Sequence, residues 1–525
     1  MPAFITNHKI LSAIALIVLL LVAFLGYRMK GPYRFYRADL VKPAAGSTAT
    51  PGVLEVGVAK RDITPNLSLY DSWTDADGDG KYNENKGDTW EDTNGNGKMD
   101  LVWMAGFSNN RPAKGVNDPL WVRSIAVRNN GVTLAMVTID SIGILHEKFI
   151  AVRKSLDPAL GIDHVMFSTS HNHEAPDTMG IWSYSPFRPK FDHGYMKQIQ
   201  QACKEAIEES VRNLEPADMI LAEKIIEPEG FVDDSRKPIV YDLNICSARF
   251  VKHGTDETIG TMVSWGNHVE TLGGGNSLLT SDFPHWLRQG VETGVSDPNG
   301  VEPLGGMCLY FQGMVGGLMT QLHTTVPHRD GMQKFEEDSF PKAEALGENV
   351  AIEVVKSQLG DGATRVENPQ VAVVAKTIFV PMEGLFGYAC MLGLIHPGWY
   401  WGKAKTEINA IRIGDLEILT IPGEIYPEIV EGGIESPEGG DFPGAPVEVP
   451  PLRPQMKGKV NMVIGLANDE IGYIIPRTQW DVDPPYAYGR TDKPQYGEEN
   501  SGGSKVAPVI HQESLAVLEQ LHAIR

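Results

Sequence analysis

From residue 53 to residue 523 short apolar runs alternate with stretches of helical periodicity, with no linker and no internal repeat to divide them. No other feature constrains this chain as much. The runs at 132–140 (VTLAMVTID), 164–169 (HVMFST), 260–265, 307–311, 369–380, 410–421 and 459–466 read as strands. Between and after them, 144–156, 193–213, 283–293, 340–358 and 511–524 read as helices. Strands that alternate with helices argue an α/β sheet covered by helices on both faces. The expected class is therefore α/β, a large single domain over 53–525 with a mixed sheet covered by helices. Ligand sites of such folds lie beyond the carboxyl ends of strands.

What precedes the domain reads differently. After a short flank (1–9), residues 10–27 form an apolar run broken only by Ser12 and Gly26, long enough to cross a bilayer. No small-residue cleavage pattern follows it, which favours an uncleaved transmembrane signal anchor over a removed signal peptide. Residues 28–52 read as a stalk. Arg28, Lys30, Arg34 and Arg37 bias the body toward the cytoplasm, but long domains translocate against such a bias. Calcium-type loops suit an exterior setting, so the expectation is a membrane-anchored protein with its domain extracytoplasmic, periplasmic or extracellular. A net charge of -21 and the lack of a basic run after residue 40 exclude nucleic acid as a partner. Cys203, Cys246, Cys308 and Cys390 stand far apart with no metal-type spacing and read as small buried residues.

Residues 71–100 are an acidic insertion: nine Asp or Glu against three Lys. Asp75, Asp77 and Asp79 offer oxygen at every second position, with Gly80 where a calcium loop turns sharply. Asp92, Asn94, Asn96 and Asp100 repeat the pattern around Gly97. Lys86 and Trp103 stand where an EF-hand places its twelfth-position glutamate. The readings left are isolated Ca2+ loops and a solvated acidic loop.

Four short segments follow strand-like runs: Ser168-Thr169-Ser170-His171-Asn172-His173-Glu174, Ser264 to His268, Ile421-Pro422-Gly423-Glu424 and Asp469 to Tyr473. Imidazole and carboxylate are the ligands that catalytic zinc takes. In His-x-His the two rings extend from one side of an extended chain and can address one centre. These segments, with Val56-Gly57 to Asp62-Ile63-Thr64-Pro65, Ala175-Pro176, Ser281-Asp282-Phe283-Pro284 and Tyr496-Gly497, resemble the neutral/alkaline ceramidases over roughly residues 53–510. The resemblance implies one Zn2+ held by His171, His268, Glu424 and Tyr473, with His173 beside it handling substrate or protons and Tyr496 lining the site. It also implies an amide-bond hydrolase acting on a small lipid-like N-acyl substrate.

Two departures qualify that picture. The family's Gly-Asp-Val-Ser-Pro segment falls on Gly316-Gly317-Leu318-Met319-Thr320, so Met319 stands where the family has an active-site serine. The sequence also ends near residue 525, short of the immunoglobulin-like domain of typical ceramidases. The expected chemistry is attack by a metal-activated water on an amide or ester carbonyl. His173, Glu174 and Glu270 are the base candidates by their place in the sequence, and Glu174 reads equally as a residue orienting an imidazole. Ala175-Pro176 rules out the His-x-His-x-Asp-His pattern of metallo-β-lactamases. An amidohydrolase-like metalloenzyme and a calcium-stabilised surface binding protein without catalysis are the alternatives.

Overall fold

The computed structural model describes residues 2–28, 33–44, 46–47, 49–184, 191–384, 388 and 401–524, so Cys390 lies outside the described residues. The body is two mixed sheets packed face to face, with helices on their outer faces. The larger sheet runs Met307–Gln312, Thr258–Trp265, Asn244–Lys252, Glu215–Ile225, Leu54–Asp62, Trp121–Asn129, Val132–Ile139, His164–Thr169, with Thr364–Val366 paired to the side of Glu215–Ile225. The smaller runs Leu40–Lys42, Val371–Pro381, Lys403–Ile413, Leu416–Thr420, Val460–Ile464. Three parallel pairs break the antiparallel pattern: Val132–Ile139 with His164–Thr169, Thr258–Trp265 with Met307–Gln312, and Leu416–Thr420 with Val460–Ile464. These are the strands whose carboxyl ends carry the site.

The alternation of side chains along a strand explains the layering. In Val132–Ile139, Val132, Leu134 and Met136 enter the core between the sheets with Val371, Val373, Ile411 and Ile413. Ala135, Val137 and Ile139 point the other way, onto Ile199, Ala206 and Ile207 of the helix His193–Arg212. Helices Phe283–Thr293 and Phe340–Leu359 cover the other part of the large sheet, and Val506–His522 covers the small one through Ile510, Val517 and Leu521. The mixed sheet with helical cover is as expected, but each sheet has helices on one face only, because the other sheet occupies the second.

Within the stretch read as a stalk, Leu40–Lys42 pairs with Val371–Pro381 and forms the edge of the small sheet. The helix Pro2–Arg28 precedes it, with its apolar side chains exposed at Leu11, Ile14 and Leu16 to Val22. Among the described residues no helix is long and apolar enough to cross a membrane, so the span expected over 10–27 is without support from the fold. Cys203, Cys246 and Cys308 are free and buried.

Candidate functional site

His171 follows the strand His164–Thr169 in the left-handed region, φ 60°. A non-glycine residue there costs roughly 1 kcal/mol or more and is held only where its surroundings fix it. Asn172 donates to Ser141 O (3.1 Å) and His173 to Val269 O (2.9 Å). A parallel bridge between Asn172 and Val269 thus brings the His-x-His segment beside His268. A second bridge, Glu424–Ile425 parallel to Tyr473–Ile474 and pairing Glu424 with Tyr473, delivers the carboxylate and the phenol together.

The side chains converge. His171 Nε2 and His268 Nε2 each lie 3.3 Å from Glu424 Oε2, and Tyr473 OH lies 3.5 Å from His268 Nε2. Backbone carbonyls orient both rings: Ile142 O is 2.8 Å from His171 Nδ1, and Met319 O is 2.7 Å from His268 Nδ1. An Nδ1–H donated to a carbonyl leaves Nε2 with a lone pair, which then faces the carboxylate. Glu424 Oε2 is itself buried without an aligned hydrogen-bond partner among the described residues. Two imidazole lone pairs aimed at an orphaned carboxylate oxygen repel one another unless a cation lies among them. This donor set, two neutral nitrogens with a carboxylate and a phenol, fits a divalent metal of the zinc type. Without a metal a proton does the same work: Glu270 and Glu424 outweigh burial and lift the His268 pKa to about 9, while His171 and His268 outweigh burial at Glu424 and hold its carboxyl down to about 2.

His173 closes the group. The ligand atoms of His171, His173 and His268 all fall within 4.8 Å of one another, so a three-histidine set is geometrically open as well. Neither ring nitrogen of His173 makes an aligned hydrogen bond, although Nδ1 lies 3.2 Å from Glu270 Oε2. Burial, then the neighbouring His171 and His268, push its pKa well below the usual range, so the ring is neutral. Glu270 Oε1 accepts the Thr320 hydroxyl at 2.6 Å.

Glu174 is fully buried, and its Oε2 accepts from Arg111 Nη2 (2.8 Å) and Asn276 Nδ2 (2.8 Å). It ties three loops together behind the histidines. Tyr496 is half-exposed at the rim, its ring 6.1 Å from that of Tyr473, its hydroxyl held by Asn500 Nδ2 at 2.6 Å. Met319 turns its side chain into the core, where Sδ accepts from Asp242 N at 3.2 Å, and shows the site only its carbonyl.

In the insertion, Ser72–Thr74 pairs with Thr89–Glu91. Asp75, Asp77 and Asp79 form a second group of potential metal ligands. Lys86 pairs with Asp77 (3.0 Å) and with Asp79, and Lys114 with Asp75 (2.8 Å). In the second loop Asp92 accepts from Asn96 N (2.9 Å) and Gly97 N (2.8 Å), while the amides of Asn94 and Asn96 donate to Asp100 at 3.1 and 2.8 Å.

Reading the sequence missed Arg111, Asn276 and Thr320, and missed the carbonyls of Ile142 and Met319. Backbone carbonyls leave no mark on residue identity, and the three side chains sit in segments without a metal-type pattern.

No family model and no curated protein matches this chain. Solved structures do match it in fold. Neutral ceramidase from Pseudomonas aeruginosa superposes with a TM-score of 0.61 at 15% identity, over 89% of this chain and 75% of that one. A ceramidase complexed with C2 gives a TM-score of 0.59 at 14% identity, over 89% and 74%. The fold is of the neutral ceramidase type, in agreement with the resemblance carried by the short sequence segments.

Proposed function

We propose that this chain is a zinc-dependent hydrolase of an amide or ester bond in a lipid-like N-acyl substrate. The observation that carries the proposal is the convergence of His171 Nε2, His268 Nε2 and the unpartnered Glu424 Oε2 at 3.3 Å, with Tyr473 OH alongside. His171, His268, Glu424 and Tyr473 would hold the ion. Bound zinc supplies a Lewis acid for the carbonyl oxygen and lowers the pKa of a water toward ~7.

The protein's own residues do the rest. His173, neutral in the buried site, would take a proton from the attacking water and return it to the leaving amine or alkoxide, with Glu270 Oε2 at 3.2 Å from Nδ1 offsetting the burial that disfavours its charged form. Glu270, gripped by the Thr320 hydroxyl, stands against Nδ1 of that ring and stabilises it when it becomes charged. Arg111 and Asn276 engage Glu174, which then acts as a brace for the loop that carries the histidines. Tyr496 borders the entrance, where a hydroxyl can meet a polar substrate group.

Met319 bears on the substrate. With its side chain turned to Asp242, the site has no hydroxyl at that position to donate to a developing oxyanion. Loss of one such donor costs on the order of 3 kcal/mol, or ~10²-fold in rate. Ceramide is therefore expected to be a poor substrate, with another N-acyl lipid or an ester preferred. The same observation favours the second reading, a binding protein of this fold without catalysis. The helix Pro2–Arg28 is read as a membrane anchor with the body extracytoplasmic, and the Asp75–Asp79 and Asp92–Asp100 loops as structural Ca2+ sites. A panel of ceramides, other N-acyl lipids and simple esters, run with and without chelator, tests the proposal. Chelator-sensitive turnover of a substrate other than ceramide is expected. Absence of turnover across the panel would select the binding protein.

A further inference from the structure

The domain is strongly acidic, yet one place on it gathers positive charge from three distant parts of the sequence. Arg34 and Arg37 lie on the segment after the N-terminal helix, Lys154 at the end of the helix His146–Ser155, and Lys405 on the strand Lys403–Ile413. Lys154 and Lys405 pack on the short stretch Tyr33–Arg37, which itself carries Arg34 and Arg37. Lys405 Nζ donates to Tyr33 O at 2.8 Å, Lys154 Nζ sits 4.8 Å from the Tyr33 ring, and Arg37 stacks 5.0 Å from Phe379. Among the described residues no carboxylate lies within ion-pairing distance of any of the four. The nearby Asp39 is turned to the Thr377 amide at 2.9 Å. The like charges press on one another: burial, then Arg37 and Lys154, bring the Lys405 pKa down to about 8, against a smaller opposing pull from Asp39. An anion on this face would relieve that repulsion.

What the anion is follows from the chain. The helix Pro2–Arg28, with its row of exposed apolar side chains, ends five residues before Tyr33. Five residues reach at most ~18 Å. Tyr33 is firmly attached to the body: Ala38 N donates to Thr377 Oγ1 at 2.7 Å, and Leu40–Lys42 is a strand of the small sheet. A helix lying in a bilayer thus leaves the body no long stalk. Phe35, 84% exposed beside Arg34, adds an apolar side chain to the same face.

We propose that the face formed by Arg34, Arg37, Lys154 and Lys405 docks on the anionic headgroups of a lipid bilayer, so that the domain lies on the membrane surface beside its anchor. This inference rests on reading Pro2–Arg28 as a membrane helix and is independent of the zinc chemistry. Cations near an anionic surface favour it roughly fivefold each at ordinary salt, and screening removes the effect in ~1 M salt.

The full chain is tested in phosphatidylcholine vesicles with and without phosphatidylglycerol, reading the acetylation rate of Lys154 against Lys98 of the acidic loop. Lys154 is expected to label about fivefold more slowly in the anionic vesicles, Lys98 at an unchanged rate, and the difference to vanish in 1 M salt. Arg34→Glu, at an exposed position that among the described residues stacks on Phe35, should weaken the protection without lowering the melting temperature. Equal labelling of Lys154 in both vesicles, or equal slowing of Lys98, would overturn the proposal. Failure to float with either vesicle would remove the helix on which the proposal rests, whereas flotation with both and equal Lys154 labelling would count against the patch alone.

Discussion

Gly106→Ala separates the two metal sets that the histidine cluster allows. Gly106 has φ +98°, and a Cβ there would lie 2.5 Å from His173 Cγ and 2.6 Å from His173 Cβ and Nδ1. Carbon atoms pack at roughly 3.5–4.0 Å, so the ring must move by about 1 Å. Phe107, edge-on to the ring at 5.2 Å, limits where it can go. The positive φ costs roughly 1 kcal/mol and the overpacking roughly 1–3 kcal/mol, for about 2–4 kcal/mol of stability. A displacement of ~1 Å in a proton-transferring group lowers turnover by roughly 10²-fold. If His173 handles protons and the ion sits on His171, His268, Glu424 and Tyr473, the variant keeps its zinc while losing activity. Elemental analysis beside turnover, on folded protein, measures both. Zinc lost in step with activity would make His173 a ligand, and unchanged turnover would remove it from the chemistry.

Arg111→Met leaves the Glu174 carboxylate buried with only Asn276 for a partner, and should cost about 3–5 kcal/mol in a denaturant titration. Adding Glu174→Gln should recover part of that loss, and no recovery would argue against a paired carboxylate. Glu407 takes two hydrogen bonds from Arg153 at 2.6 and 2.7 Å. Burial raises its carboxyl, but Arg153, with His146 and His164, holds it down to about 2 against an ordinary 4.5. Its stabilisation, about 3 kcal/mol, is therefore complete above pH 4.5 and lost as pH falls through 2. Glu407→Gln should be less stable than wild type at neutral pH, with the gap narrowing in acid; a constant gap would contradict this. Calcium should raise the melting temperature, by an increment that shrinks in Asp75→Asn/Asp77→Asn. The increment should grow in Lys86→Gln, where an ammonium competing for Asp77 and Asp79 is gone.

The legible part of this molecule was the part in which pattern and burial coincide. Val132–Ile139 and His164–Thr169 are buried throughout and stood out as apolar runs, as did the helix Phe283–Thr293. Strands that carry charge among apolar residues did not stand out. Leu54–Asp62 holds Lys60 and Arg61, Trp121–Asn129 holds Arg123 and Arg128, and Glu215–Ile225 and Asn244–Lys252 also went unread. The run read as one strand over 410–421 is a hairpin, turning at Gly414 with φ +57° between Lys403–Ile413 and Leu416–Thr420. Helix Val506–His522 begins five residues before the expected 511 because Pro508 lies in its first turn, where no amide is needed. The face-to-face packing of the two sheets was hidden too, because an apolar strand looks alike under a helix and under a second sheet. At the site, His-x-His and the Pro-Gly-Glu segment were readable as residue types. Their convergence depends on the Asn172–Val269 and Glu424–Tyr473 bridges, which only the fold supplies.

Whether His171, His268, Glu424 and Tyr473 form one metal centre is read out by elemental analysis of the purified protein. One zinc per chain is expected in the wild type and little or none in His171→Ala, His268→Ala and Glu424→Gln. The wild-type protein should also lose thermal stability to a zinc-selective chelator in calcium-containing buffer, and the variants should not. Wild-type protein that takes up no zinc when supplied, or His171→Ala and His268→Ala variants that keep full zinc, would contradict the shared metal centre.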